Sequence, residues 1–179
     1  MLRRHGVDKV TVVDVARAAG ISHPAVYQHF ASKAALQEAV AERWLSAISA
    51  PMAAIAEGGA PPSARLSTWF RALSELKRAR RRDDPELFEA YHRLAEQHRA
   101  VVTAHVAALH AQVARIITDG AATGEFRTDD PTAAARAALD AMLRFHHPAF
   151  VTEDDDATHA ARRDRVLALT LAGLAAPRP

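Results

Sequence analysis

Apolar residues recur at three- and four-residue spacing along almost the whole 179-residue chain, a period that fits little but α-helix. Leu36, Val40, Trp44, Ile48 and Met52 step by four, with Leu45 and Ile55 beside them. Val102, Val106, Leu109, Val113 and Ile116 mark a second stripe. Alanine, leucine and arginine, all good helix formers, dominate, and strand-like alternation of β-branched residues is scarce. The expected fold class is all-α.

Glycine and proline set the expected boundaries. Gly6, Gly20, Gly58-Gly59, Gly120 and Gly124 fall where helices should end in positive φ. In Glu57-Gly58-Gly59-Ala60-Pro61-Pro62 the glycines stop one helix and the prolines start the next. Asp83-Asp84-Pro85-Glu86 opens another, with acids at the positive helix pole. Asp130-Pro131 starts an alanine-rich helix that must stop near His147-Pro148. Thr158, or the acidic run Glu153 to Asp156 before it, starts the last, which carries Val166, Leu167, Thr170, Leu171 and Leu174.

With 49% hydrophobic and 25% charged residues, the chain can bury a core and is not of disordered composition. It has no cysteine, which excludes disulfides, a thiolate nucleophile and a zinc-cysteine site. The opening Met1-Leu2-Arg3-Arg4-His5-Gly6 lacks the apolar core of a signal peptide, and no later apolar run is read as approaching bilayer-spanning length. A cytoplasmic protein without a membrane partner is expected. A net charge of only +2 means that any nucleic acid would be held by local patches. The basic run Lys77 to Arg82 is read as a solvated helix C-terminus, which favours cations.

The stretch from Thr11 to Phe30 carries the clearest functional signal. Thr11 can cap a short helix whose buried stripe is Val12, Val15, Ala16 and Ala19. Gly20 ends it, and Ser22 caps a second short helix with Pro24 in its first turn. Two short helices around a glycine turn make a helix-turn-helix, whose second helix enters the major groove. Val26 and Phe30 face inward with Ile21, which leaves His23, Pro24, Ala25, Tyr27, Gln28 and His29 outside. Ser32-Lys33 then starts the next helix and offers a cation and free backbone amides to a phosphate.

Thr11-Val12-x-x-Val15-Ala16-x-x-Ala19-Gly20-Ile21-Ser22, followed by Val26-Tyr27-x-His29-Phe30-x-Ser32-Lys33-x-x-Leu36, resembles the signature of the TetR (tetracycline-repressor) family of transcription regulators. The resemblance covers the first quarter of the chain, and Leu2 to Gly6 read as the last turn of the family's first helix. It implies that Thr11, Tyr27, His29 and Lys33 contact phosphates of operator DNA, while His23, Pro24, Ala25 and Gln28 approach base edges. Gln28 suits an adenine edge, and Pro24 or Ala25 a thymine methyl. Val13 stands where relatives often carry a polar reading residue. The layout implied is an N-terminal helix-turn-helix domain over 1–43 and a helical effector-binding and dimerisation domain over 44–179. The expected protein is a homodimeric repressor, not an enzyme, released from its operator by a small-molecule effector of aromatic or apolar character.

Trp69, Phe70, Phe88, Tyr91 and Phe145 are candidates to line the effector pocket, with His92 and His146 as its polar groups. No cofactor is expected. Glu89-x-x-His92 places two potential ligands on one helical face, with Glu96 a turn further and His146-His147 elsewhere. Di-iron bundles use two such motifs and further carboxylates, whereas only one occurs here. A single metal held by His92, by Glu96 or Glu89, and by one of His146 or His147 is the alternative reading and would imply a helical metal-carboxylate enzyme. A helical interaction module without DNA binding is the third. Homodimerisation is expected through the last two helices, where Ala133 to Ala141 allow close approach and Leu139, Met142, Leu143, Leu167, Leu171 and Leu174 supply apolar area.

Overall fold

The computed structural model describes residues 30–150 and 155–175, and within them it shows seven helices and no strand. They are α1 (Lys33–Ala56), α2 (Pro62–Asp83), α3 (Pro85–Gln97), α4 (Arg99–Ala122), α5 (Pro131–Ala141), α6 (Leu143–His146) and α7 (Asp156–Leu174). The all-α expectation holds. An isolated antiparallel bridge joins Phe126 to Ala175, beside the 2.8 Å bond from the Arg127 amide to the Leu174 carbonyl.

The helix starts follow local chemistry. The Asp84 carboxylate accepts from the Leu87 amide at 3.1 Å, and Pro85 fills the first helical position, where no N–H is needed. Asp130 does the same for α5, accepting from Thr132 and Ala133 at 2.9 Å ahead of Pro131. The last helix is capped from the acidic run, by Asp155 on the Thr158 amide at 2.9 Å. Hydrogen bonds from Thr158 hold the Asp155 carboxyl below its ordinary range.

The glycines follow the expected pattern less well. Only Gly124 among the described residues has positive φ, at 75°. Gly120 lies inside α4 for a packing reason. A Cβ there would stand 2.1 Å from the ring of Phe126, so the missing side chain is what lets that ring sit on the helix. The alanine-rich helix is broken at Met142, before the expected stop at His147-Pro148, which yields α5 and the short α6. Helix α1 also runs through Pro51, which has no N–H to offer the Ala47 carbonyl; Arg80 donates to that oxygen at 2.9 Å instead.

The chain divides into two compact units, Met1–Ala47 with Arg80–His105, and Ile48–Ala79 with Val106–Pro179. In the first, Ala41, Ala90 and Leu94 form a buried cluster covered by Val40, Tyr91 and Val101. Alanine at 41 and 90 lets α1 and α3 approach closely. In the second, Leu66, Trp69, Phe70, Leu73, Val113, Ile116, Ile117, Met142 and Leu167 are almost fully enclosed. Helix α5 packs on α7 there.

Three sequence expectations are corrected. Helix α4 is long and apolar enough to cross a membrane by length and composition, with mean hydropathy 1.4 over its best window. Only 22% of that window is buried, and the buried residues of α4 are Leu109, Val113, Ile116, Ile117 and Gly120. Val106, expected on the buried stripe, is 44% exposed. The basic run is not a solvated helix end either, because Lys77 is only 6% exposed and Arg80 and Arg81 are engaged with protein groups.

Candidate functional site

Of the residues expected at DNA, Thr11, His23, Pro24, Ala25, Tyr27, Gln28 and His29 lie outside the described residues, whereas Lys33 is described. Lys33 is exposed and is the first residue of α1. Ser32 just before it caps the helix, its Oγ accepting from the Ala35 amide at 3.1 Å and its carbonyl from the Leu36 amide at 3.1 Å. The cation therefore stands at the positive pole of a 24-residue helix, a place where an anionic oxygen is favoured.

The residues expected around an effector fall into both units. Phe88, Tyr91 and His92 belong to the first. The Tyr91 ring stacks on Trp44 with centroids 5.2 Å apart and planes 8° from parallel, and Phe88 meets the same indole edge-on at 6.0 Å. Arg81 lies over Phe88, 5.6 Å from its centroid, and pairs with Glu89. Arg80 donates to the carbonyls of Trp44 and Ala47. Burial raises the Tyr91 hydroxyl above its ordinary pKa, and the charges of Arg43 and Arg80 offset part of that. Trp44 is the partner that the sequence reading left out, although its place on the α1 stripe marked it as inward-facing.

The metal-ligand candidates are dispersed. Glu89 is taken up by Arg81, and His92 lies 3.5 Å from Glu96 one turn along α3. His146 and His147 belong to the second unit and point differently, His146 buried and His147 exposed. Among the described residues no three His, Asp or Glu side chains converge as a metal site would require.

The second unit holds Trp69, Phe70, Phe145 and His146. Trp69 and Phe70 pack edge to face at 5.1 Å, both fully buried. The indole Nε1 of Trp69 donates to Gln112 Oε1 at 3.0 Å, and Gln112 Nε2 donates to the Ser49 carbonyl at 3.0 Å. This chain satisfies a buried donor that would otherwise cost about 1–3 kcal/mol. The Phe145 ring meets His159 edge-on at 5.5 Å, and His159 Nε2 lies 2.8 Å from Ser74 Oγ.

His146 donates from Nε2 to the Leu139 carbonyl at 3.2 Å. Burial, followed by the nearby Lys77 charge, lowers its pKa from 6.5 to about 3, with smaller contributions from His147 and His110. Burial alone lowers Lys77 from 10.5 to about 8. A buried polar group of Ser74, Lys77, His146 and His159 thus lies within the second unit, with His110 Nδ1 buried and unbonded near it. The sequence reading named only His146 among these. The signal for Ser74 and Lys77 was present in the α2 stripe, because Leu66, Phe70, Leu73, Ser74 and Lys77 share one helical face.

Comparison with protein-family models gives two matches. The model described as "Bacterial regulatory proteins, tetR family" covers residues 1–40, and that described as "Tetracyclin repressor-like, C-terminal domain" covers residues 62–167. Comparison with curated proteins gives no match. Among solved structures, a Mesorhizobium loti protein assigned to the TetR family is similar at 20% identity and TM-score 0.70, over 97% of this chain and 91% of that one. FadR from Bacillus subtilis, in complex with stearoyl-CoA, is similar at 16% identity and TM-score 0.65, over 97% and 93%. FadR from Thermus thermophilus, a TetR-family repressor in complex with lauroyl-CoA, is similar at 20% identity and TM-score 0.62, over 99% and 91%. At these identities the likeness is one of fold.

Proposed function

The chain belongs to the TetR family of DNA-binding transcriptional regulators, and from that premise we infer a homodimeric repressor that leaves its operator when a small molecule occupies the C-terminal domain. The observation that carries the reading is the ordered run of motif residues from Thr11 to Leu36. It supports phosphate contacts by Thr11, Tyr27, His29 and Lys33, and base contacts by His23, Pro24, Ala25 and Gln28. The exposed, capped position of Lys33 at a helix N-terminus agrees with its assigned role. The working division is a reading head over 1–43 and a regulatory domain over 44–179. Coupling between them needs an effector that prefers the dimer whose heads are wrongly spaced for two half-sites.

Dimerisation is assigned to α5 and α7, with one change of residues. Leu139, Met142, Leu167 and Leu174 are buried within the chain itself and Leu171 is half-buried, which leaves Leu169 of α7 at 74% exposure and Leu143, the first residue of α6, at 41% as the exposed large apolar side chains able to meet a second copy.

The test is selection from random duplex DNA followed by binding measurements across salt. A preferred sequence is expected. Tyr27→Ala and Lys33→Ala should weaken all sequences alike and flatten the salt slope, whereas Gln28→Ala should change which sequence is preferred. Selection that returns no preferred sequence would refute the reading.

A further inference from the structure

Charges buried in the second unit do not balance. Among the described residues, three cations are buried there: Arg65, Lys77 and Arg163. Arg65 meets Asp119 at 2.9 Å, and Arg163 meets Glu75 and Asp164 at 2.9 Å each. Lys77, at 6% exposure, has no carboxylate and no hydrogen-bond acceptor among the described residues. A cation largely withdrawn from water without a counter-ion is costly in a protein interior. For packing alone, methionine would fill the same space without that cost.

The groups near Lys77 do not neutralise it. Ser74 precedes it by one turn on the same face of α2 and is bonded to His159. His146, held neutral by burial and by the lysine itself, contributes no negative charge. His110, on α4, leaves its Nδ1 buried and without a partner. The arrangement is a buried lysine without an ion pair among the described residues, with the His146 imidazole and the Ser74 hydroxyl close by. It lacks a counter-ion, and it lacks only one.

We propose that the C-terminal domain binds a small organic monocarboxylate of apolar body, its carboxylate paired with Lys77. This rests on the reading of that domain as the effector site and narrows the effector to a chemical class. A single unpaired cation suits a single negative charge. A di- or trianion would bring charge that the other buried cations do not offset, since Arg65 and Arg163 are already paired. An amine would meet Lys77 as a like charge.

The experiment is calorimetric titration of the full-length chain with a panel of acids, from butyrate to decanoate and from benzoate to naphthoate, each against the amide of the same skeleton. At least one acid should bind, and its amide should bind roughly 30-fold or more weakly, as expected on losing a buried charge pair. Lys77→Met and, as a second variant should the first not fold, Lys77→Gln should each lose the preference for acid over amide while retaining the wild-type circular dichroism. Equal affinity for acid and amide, a variant that keeps the preference, or a panel with no binder would each overturn the proposal. Operator binding measured in parallel separates this from the function reading. An acid that binds through Lys77 without changing operator affinity keeps the site and refutes effector release. Release by uncharged compounds alone keeps effector release and refutes the site.

Discussion

Lys77→Met should stabilise the ligand-free protein, by an amount that follows from its burial. Lys77 is 6% exposed, and burial lowers its pKa from 10.5 to about 8. That difference corresponds to about 3 kcal/mol at 1.36 kcal/mol for each pH unit. Its sign is set by proton counts. Between pH 8 and 10.5 the unfolded chain holds the lysine proton and the folded chain does not, so stability rises with pH across that window. Below pH 8 the full cost is present in the folded protein. Methionine removes it, and at pH 7 the variant should gain up to about 3 kcal/mol, or roughly 6–12 °C in Tm for a chain of this size. Urea denaturation of both proteins at pH 7, 8, 9 and 10 checks this. The gap should be widest at pH 7 and narrow steadily above pH 8. A variant less stable than wild type at pH 7, or a gap that does not change with pH, would show that the ammonium is compensated inside the fold.

Three further predictions concern other buried groups and the subunit contact. His146, lowered from 6.5 to about 3 chiefly by burial, contributes stability that is complete above pH 6.5 and is lost as pH falls towards 3. Wild type should therefore lose about 2 kcal/mol more than His146→Gln between pH 6.5 and 5, and parallel denaturation curves would refute this. Gly120→Ala should cost about 1–3 kcal/mol because its Cβ meets the buried Phe126 ring, and the cost should shrink in a Phe126→Leu background; equal cost in both backgrounds would exclude the clash as its cause. Leu169→Glu combined with Leu143→Glu should give a monomer by light scattering with unchanged helix content, and a surviving dimer would place the interface elsewhere.

What was legible in the sequence was local or contiguous. Asp84-Pro85 and Asp130-Pro131 announce helix starts because cap and first turn are neighbours in the chain, and both act as read. The family motif is legible for the same reason, since it runs along one stretch from Thr11 to Leu36 and the N-terminal family model matches residues 1–40. Tertiary relations were not legible. Gly120 looked like a helix end until Phe126, six residues on, was seen to cover it. His146 and His147 are adjacent and chemically identical, yet one is buried against the Leu139 carbonyl and the other is exposed; the break at Met142 between α5 and α6 carries no signal such as proline or glycine. Phe88 and Tyr91 were read as pocket-lining, and which ring they meet is settled by how α1 lies against α3 in the first unit.

The basic run Lys77 to Arg82 shows why composition misleads where rotation about a helix decides. Each residue turns about 100° from the last, so six consecutive positions sample every direction around α2. Lys77 turns into the second unit and is buried there. Arg78 reaches Asp156 at 2.7 Å in the first turn of α7. Arg80 takes the carbonyl that Pro51 leaves without a helical donor. Arg81 covers Phe88 and pairs with Glu89. A nucleic-acid patch needs cations on one face, free to exchange condensed counter-ions for phosphates. Here the charges point in different directions, and four of them are held within their own units. Arg82, with 62% of its side chain exposed, stands 3.7 Å from Asp83. The charges of α2 therefore do not form the one-sided patch that DNA binding needs, which agrees with the N-terminal assignment proposed above.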